Sequence, residues 1–243
     1  MDGAFRLSSY YDKIIRGTAR EDTLVILQFF QGMVGQKFSF LNYFKEIPVS
    51  YDAILLNVER EMAEFAVHEN QAKTITIDKN TIITAHPLSP FPEDMFGEVF
   101  YVNTTKKRVI LCNFGYARVH SNNRRFVRVL LENRVGVQIQ CEDGIIDGIV
   151  QDISLGGAAI DFSSTVDLKQ GQEITLHFRL PDNYKSAERD VPLAAKVIKV
   201  EGEDGVSSCV MEFVSDKRTQ QLMSYFINQR QVEIIRDLKD ITL

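Results

Sequence analysis

Apolar positions in the first 35 residues recur at helical spacing. Leu24, Leu27 and Phe30 fall three apart, behind the string Thr18-Ala19-Arg20-Glu21. That string is a capping box, with Thr18 as N-cap and Glu21 reaching back from three residues on. Gly35 offers the stop. The spacing also predicts a shorter helix over Ser8–Arg16, ended by Gly17, and one or two further turns over Phe38–Phe44 before Pro48.

From Tyr51 the period changes from helical to alternating. Residues 53–58, 61–67, 73–77, 81–84, 98–103 and 108–114 each read as a short strand, with turn residues such as Asp78-Lys79-Asn80 between them. The segment 86–92 holds three of the six prolines and reads as a loop. A second alternating set begins after Phe126, over 127–132, 135–140, 148–153, 157–162, 173–179, 191–200 and 206–213. So many short strands in so little chain suit a closed barrel. Ser215-Asp216 caps a final helix whose apolar side is predicted to carry Leu222, Phe226, Ile234, Ile235 and Leu238.

The fold class is therefore mainly β with helices. Two small β-barrel domains stand in tandem, with a helical N-terminal lead and a C-terminal helix packed on the second barrel. The boundaries predicted are 1–35 for the lead, 36–118 for the first barrel and 119–243 for the second domain, with Tyr116–Asn123 as the joint.

Composition narrows the function. No apolar run approaches the roughly 20 residues of a membrane-spanning helix, and the N-terminus lacks the pattern of a signal peptide; a cytoplasmic location is expected. Cys112, Cys141 and Cys209 are far apart and flanked by apolar residues, and the four histidines show no ligand spacing, so neither a disulfide framework nor a metal site is expected. No nucleophile elbow, P-loop or dinucleotide fingerprint is present, which argues against an enzyme. The net charge of −5 argues against general affinity for DNA or RNA. Yet residues 103–134 contain eight Lys or Arg and one acid, Glu132. A local basic surface on an acidic protein suits a small anionic ligand.

That basic stretch contains Arg124-Arg125-Phe126-Val127-Arg128, an R-x-x-x-R string. After 23 further residues (129–151) comes Asp152-Ile153-Ser154-Leu155-Gly156-Gly157, a D-x-S-x-x-G string. Arginine combines a permanent charge, a fork of donors and a flat face for stacking. It can therefore bind phosphate or the O6/N7 edge of guanine. An ionised Asp accepts only and suits the N1–H and N2–H₂ donors of guanine, while Ser adds a small donor and acceptor. A glycine at 157 permits close approach of a flat ligand to the backbone, and one at 156 lets the turn bend.

The ordered pair of strings, with β-patterned sequence between them, resembles the PilZ domain, a family of bacterial receptors for cyclic di-GMP. The resemblance covers about 120–240, and the two-barrel layout is similar to that of YcgR-like flagellar-brake proteins. It implies a non-enzymatic receptor with cyclic di-GMP as ligand and no cofactor. The binding residues implied are Arg124, Arg125, Arg128, Asp152, Ser154 and Gly157. It further implies that ligand binding changes the interdomain arrangement to control a protein partner in motility or biofilm behaviour. That partner would belong to the flagellar motor or to an export or pilus machine. Two alternatives stand beside this reading: a scaffold of the same fold that no longer binds nucleotide, and a barrel for single-stranded nucleic acid using Tyr116, Phe126 and the basic run as a stacking platform.

Overall fold

Antiparallel strand pairing closes each of two sheets into a barrel, most strands alternating covered and open positions with a two-residue period. The computed structural model describes residues 10–85, 87–88, 90–120, 125–141, 144–162, 166–182, 187–203, 206–214 and 216–241. The chain divides into two units, Met1–Arg124 with Ile235–Leu243, and Arg125–Ile234.

The first unit contains β1 (Tyr11–Ile14), α1 (Ala19–Gln31), β2 (Lys37–Phe44), β3 (Ile47–Glu59), β4 (Met62–Ala66), α2 (Glu69–Asp78), β5 (Asn80–Ile83), β6 (Asp94–Asn103) and β7 (Arg108–Val119). Strand order β7-β4-β3-β2-β5-β6 closes through β6 and β7 into a six-stranded barrel, and β1 adds along the far end of β7. The capping box on α1 forms as the sequence predicts: Thr18 Oγ1 accepts from Glu21 N at 3.2 Å and Glu21 Oε2 accepts from Thr18 N at 2.7 Å. That fixed start aims Ile26, Leu27 and Phe30 into the barrel. Phe30 meets Phe38, Phe65 and Phe114 edge-on at 5.1, 5.8 and 5.3 Å, a geometry that adds to the gain from burial alone.

Three local expectations are overturned. The described part of Ser8–Arg16 forms strand β1, in register with β7 from Tyr11↔Val119 to Ile14↔Tyr116. Phe38–Phe44 is a strand rather than helical turns. Phe38 and Phe40 face one apolar cluster while Leu41 and Tyr43 face another. A strand buried on both faces loses its visible alternation. Residues 73–77, read as a strand from their Lys-Thr-Ile-Thr-Ile alternation, lie in α2. His68 Nδ1 accepts from Asn70 N at its start, and Lys79 closes its end in the left-handed region at φ 61°. Burial of Ala72 and Ile75 in the barrel overrides the β preference. The Thr74 and Thr76 hydroxyls donate back to the carbonyls of Asn70 and Ala72.

The second unit begins with β8 (Val129–Cys141), β9 (Gly144–Ser154), β10 (Gly157–Phe162), β11 (Glu173–Asp182), β12 (Ala187–Glu203) and β13 (Val206–Val214). They close in the order β10-β13-β12-β11-β8-β9. The two runs predicted at 127–132 and 135–140 merge into β8, whose register against β9 shifts between Leu130 and Val135. Helix α3 (Lys217–Asp240) follows, with Asp216 Oδ1 accepting from Thr219 N at 2.7 Å as its cap. Its buried stripe is Met223, Ile227, Ile234 and Leu238. Leu222 and Phe226 are only partly covered and Ile235 is exposed, so the face is rotated from the one predicted at its start. Arg230 Nε donates to Leu130 O at 3.1 Å and ties the helix to β8.

Candidate ligand cleft on the second barrel

The antiparallel register of β8 and β9 brings the two sequence strings together. Val129 pairs with Ile153 and Leu130 with Asp152, so Arg128, one residue before the strand, arrives beside the D-x-S-x-x-G hairpin. Arg128 Nη1 lies 3.8 Å from Asp152 Oδ2. The carboxylate side chain is 10% exposed and the guanidinium side chain 36%, so the acid is set into the wall and the base reaches outward.

Ser154 and Gly157 close the hairpin. Ser154 Oγ donates to Gly157 O and accepts from Gly156 N, both at 3.2 Å. The hydroxyl therefore holds the shape of the turn, a common local use of Ser. The glycines serve close approach. A Cβ on Gly156 would lie 2.9 Å from Cδ2 of Phe126, and one on Gly157 would lie 2.1 Å from Met211 O. What comes close to Gly157 on that side is the neighbouring strand's own backbone.

These residues line a cleft of about 270 Å³ together with Ala158, Ala159, Ile198, Val210, Met211 and Glu212. Of the six predicted site residues, Arg128, Asp152, Ser154 and Gly157 meet there. Arg125 is exposed and lies outside the cleft lining. Arg124 falls outside the described residues. Ile198, Val210 and Glu212 come from β12 and β13, and no motif in the sequence announces them; only closure of the barrel puts those strands next to β10. Phe126, weighed in the sequence only as a stacking platform, packs against Gly156.

Among the described residues no group of three or more His, Cys, Asp or Glu side chains is placed to hold a metal ion. Burial pushes both described free thiols up, Cys112 and Cys209, the latter to about 11, which disfavours the reactive thiolate. No described helix is long and apolar enough to cross a membrane.

The molecule is thus a tandem of two closed antiparallel barrels, the second carrying an arginine lead-in over an acid–hydroxyl–glycine hairpin. Residues 122–228 match the family model of the PilZ domain. No curated protein matches the chain significantly in sequence. Among solved structures, the inhibitor of motility MotI/DgrA of Bacillus subtilis is similar at 15% identity and a TM-score of 0.43, over 82% of this chain and 97% of that one. YcgR of Escherichia coli in complex with c-di-GMP is similar at 10% identity and 0.43, over 97% and 98%. The MrkH–c-di-GMP complex of K. pneumonia is similar at 15% identity and 0.40, over 94% and 99%.

Proposed function

We propose that this chain is a non-enzymatic receptor for cyclic di-GMP, bound at the cleft of the second barrel. The observation that supports it most is the placement of Arg128 against Asp152 at an open cleft closed on one side by the Ser154–Gly157 hairpin. A guanidinium that is one-third exposed and set over a recessed carboxylate is held in place, yet free to turn its remaining donors to a ligand. Arg128 with Arg124 and Arg125 takes the phosphates and the O6/N7 edge of guanine. Asp152 accepts from a guanine N1–H and N2–H₂ once Arg128 turns to the ligand. Ser154 and Gly157 keep the hairpin flat beside it.

The consequence for the rest of the molecule follows from chain order. The boundary between the two units falls between Arg124 and Arg125, inside the R-x-x-x-R string. Drawing that string onto the cleft acts on the connection itself. In this reading cyclic di-GMP changes the arrangement of the units and so the surface offered to a protein partner, with motility machinery the first candidate from the sequence resemblance.

One titration series tests the reading. Calorimetry with cyclic di-GMP, GTP, a short single-stranded oligonucleotide and a DNA duplex should show micromolar or tighter binding, about −8 kcal/mol, for cyclic di-GMP alone. Binding of an oligonucleotide or duplex in preference to cyclic di-GMP would replace it. Small-angle scattering with and without ligand checks the coupling, and an unchanged profile at saturation would remove that part.

A further inference from the structure

The cleft has a far wall, and that wall carries a carboxylate that belongs to neither sequence string. In the register of the second barrel Ser154, Gly157 and Glu212 stand side by side on β9, β10 and β13. No side chain stands at Gly157, where the backbone of Met211 comes close instead, so only backbone separates Ser154 from Glu212. The width is two strand spacings, about 10 Å. Glu212 lies between buried Met211 and Phe213, which puts its own side chain on the outer face with Val210 two residues back.

Glu212 lines the cleft opposite Arg128 and Asp152. Among the described residues its side chain makes no hydrogen bond or ion pair, even with Lys196, its register neighbour on β12. A lone carboxylate beside a site for phosphates works against binding, unless it meets donors on the ligand. Guanine supplies them: N1–H and N2–H₂ are adjacent, and the two oxygens of one carboxylate accept both. Adenine presents a lone pair at N1 instead, which a carboxylate repels. Ala159 and Val210 lie between the two acids and Ile198 continues the row on β12, and the three form a small apolar floor suited to the flat face of a ring. Cyclic di-GMP has two guanines, and the cleft has one acid on each wall.

We infer that Glu212 accepts the Watson–Crick edge of one guanine lying on the Ala159–Val210–Ile198 floor and thereby sets the preference for guanine over adenine. The inference rests on reading the cleft as a cyclic di-GMP site. Asp152 then serves the other base. Glu212→Gln tests it, because the change is isosteric, exposed and electrostatically neutralising.

The full chain and the variant are titrated calorimetrically with cyclic di-GMP and with cyclic di-AMP. The expected result is a loss of about 10-fold in cyclic di-GMP affinity, with cyclic di-AMP binding unchanged or improved, so that the ratio between them narrows. Lys196→Met, run in parallel, should leave the ratio intact. Equal or tighter cyclic di-GMP binding by Glu212→Gln would overturn the inference, since the carboxylate would then act only as a negative charge near phosphate. A matching loss in Lys196→Met would overturn it too, because the effect would lie in the surface charge balance. Failure of the unaltered chain to bind cyclic di-GMP would instead remove the receptor reading as a whole.

Discussion

The ring of Phe126 fills the space a side chain on Gly156 would need, with a hypothetical Cβ only 2.9 Å from Cδ2 and 3.2 Å from Cε2. This contact lays the arginine lead-in onto the hairpin two residues before Arg128. Phe126 thus positions Arg128 from one side, while the β8–β9 register positions it from the other.

Gly156→Ala should push the ring away and loosen that placement. Expected is a loss of about 10-fold in cyclic di-GMP affinity, or 1.4 kcal/mol, with little change in thermal midpoint because a partly exposed ring can move. Gly157→Ala should behave in the opposite way. Its added methyl meets the backbone oxygen of Met211 at 2.1 Å, which cannot swing aside. Overpacking of that kind costs about 1–3 kcal/mol and should lower the midpoint of the second barrel. Scanning calorimetry and ligand titration on both variants separate the two effects.

Arg128→Ala should weaken cyclic di-GMP binding by at least ~30-fold, in line with the roughly 2–5 kcal/mol lost when a charged hydrogen-bonding partner is removed. Arg128→Lys keeps the charge but loses the planar fork, so it should fall between the two. Circular dichroism should show both variants folded, because the side chain reaches out of the barrel. Near-normal affinity in Arg128→Ala would take this residue out of the site.

Asp78 should make the first unit's stability depend on pH. Burial pushes its carboxyl up from 3.8 to about 6, against the opposing hydrogen bonds from Asn42 and the Tyr43 backbone. Asn42 Nδ2 donates to it at 2.8 Å. The folded state therefore holds this proton more tightly than the unfolded chain does. The resulting contribution is fully present below about pH 3.8 and is lost as pH rises through about 6. Asp78→Asn removes the titration, so the variant should gain on its parent by on the order of 2 kcal/mol between pH 4 and pH 7. Urea unfolding of both proteins at the two pH values measures the difference, and parallel curves would contradict it.

Thr18→Ala should cost about 1 kcal/mol, the usual worth of an N-cap. The substitution removes the half of the capping box made by Thr18 Oγ1, while the backbone N–H at 18 keeps its Glu21 Oε2 acceptor. The effect should appear in the thermal unfolding of the first unit. Thr18→Ser should restore most of the loss.

Much of this architecture was legible because it rests on local chemistry. The capping box is four adjacent residues, and the strands of the second barrel alternate openly because one face is wet. The errors fall where tertiary burial hides or counterfeits a period. Leu41 and Tyr43 are covered as well as Phe38 and Phe40, so β2 looked helical. The Thr and Ile residues of α2 alternate like a strand, yet they are helical because Ala72 and Ile75 plug the barrel. At the cleft, the strings announced Arg128 and Asp152, whose meeting follows from one strand pair. Glu212 and Ile198 sit 55 and 41 positions beyond Gly157 in the chain, and nothing short of barrel closure brings them near it.

The last turn of α3 carries a practical lesson for cutting this protein apart. Lys73 Nζ donates to the carbonyl of Lys239 at 2.6 Å, and Lys45 Nζ lies 2.7 Å from Asp237 Oδ2. Both lysines are largely covered, with side chains 10% and 18% exposed, and Ile235–Leu243 groups with the first unit although it is last in the chain. A fragment stopped at Arg124 would lose both of these contacts, although Lys73 would keep its 3.4 Å ion pair with Glu69. The first barrel, in sequence the simplest piece to excise, takes part of its polar cover from residues 237–239, which follow the second barrel in the chain.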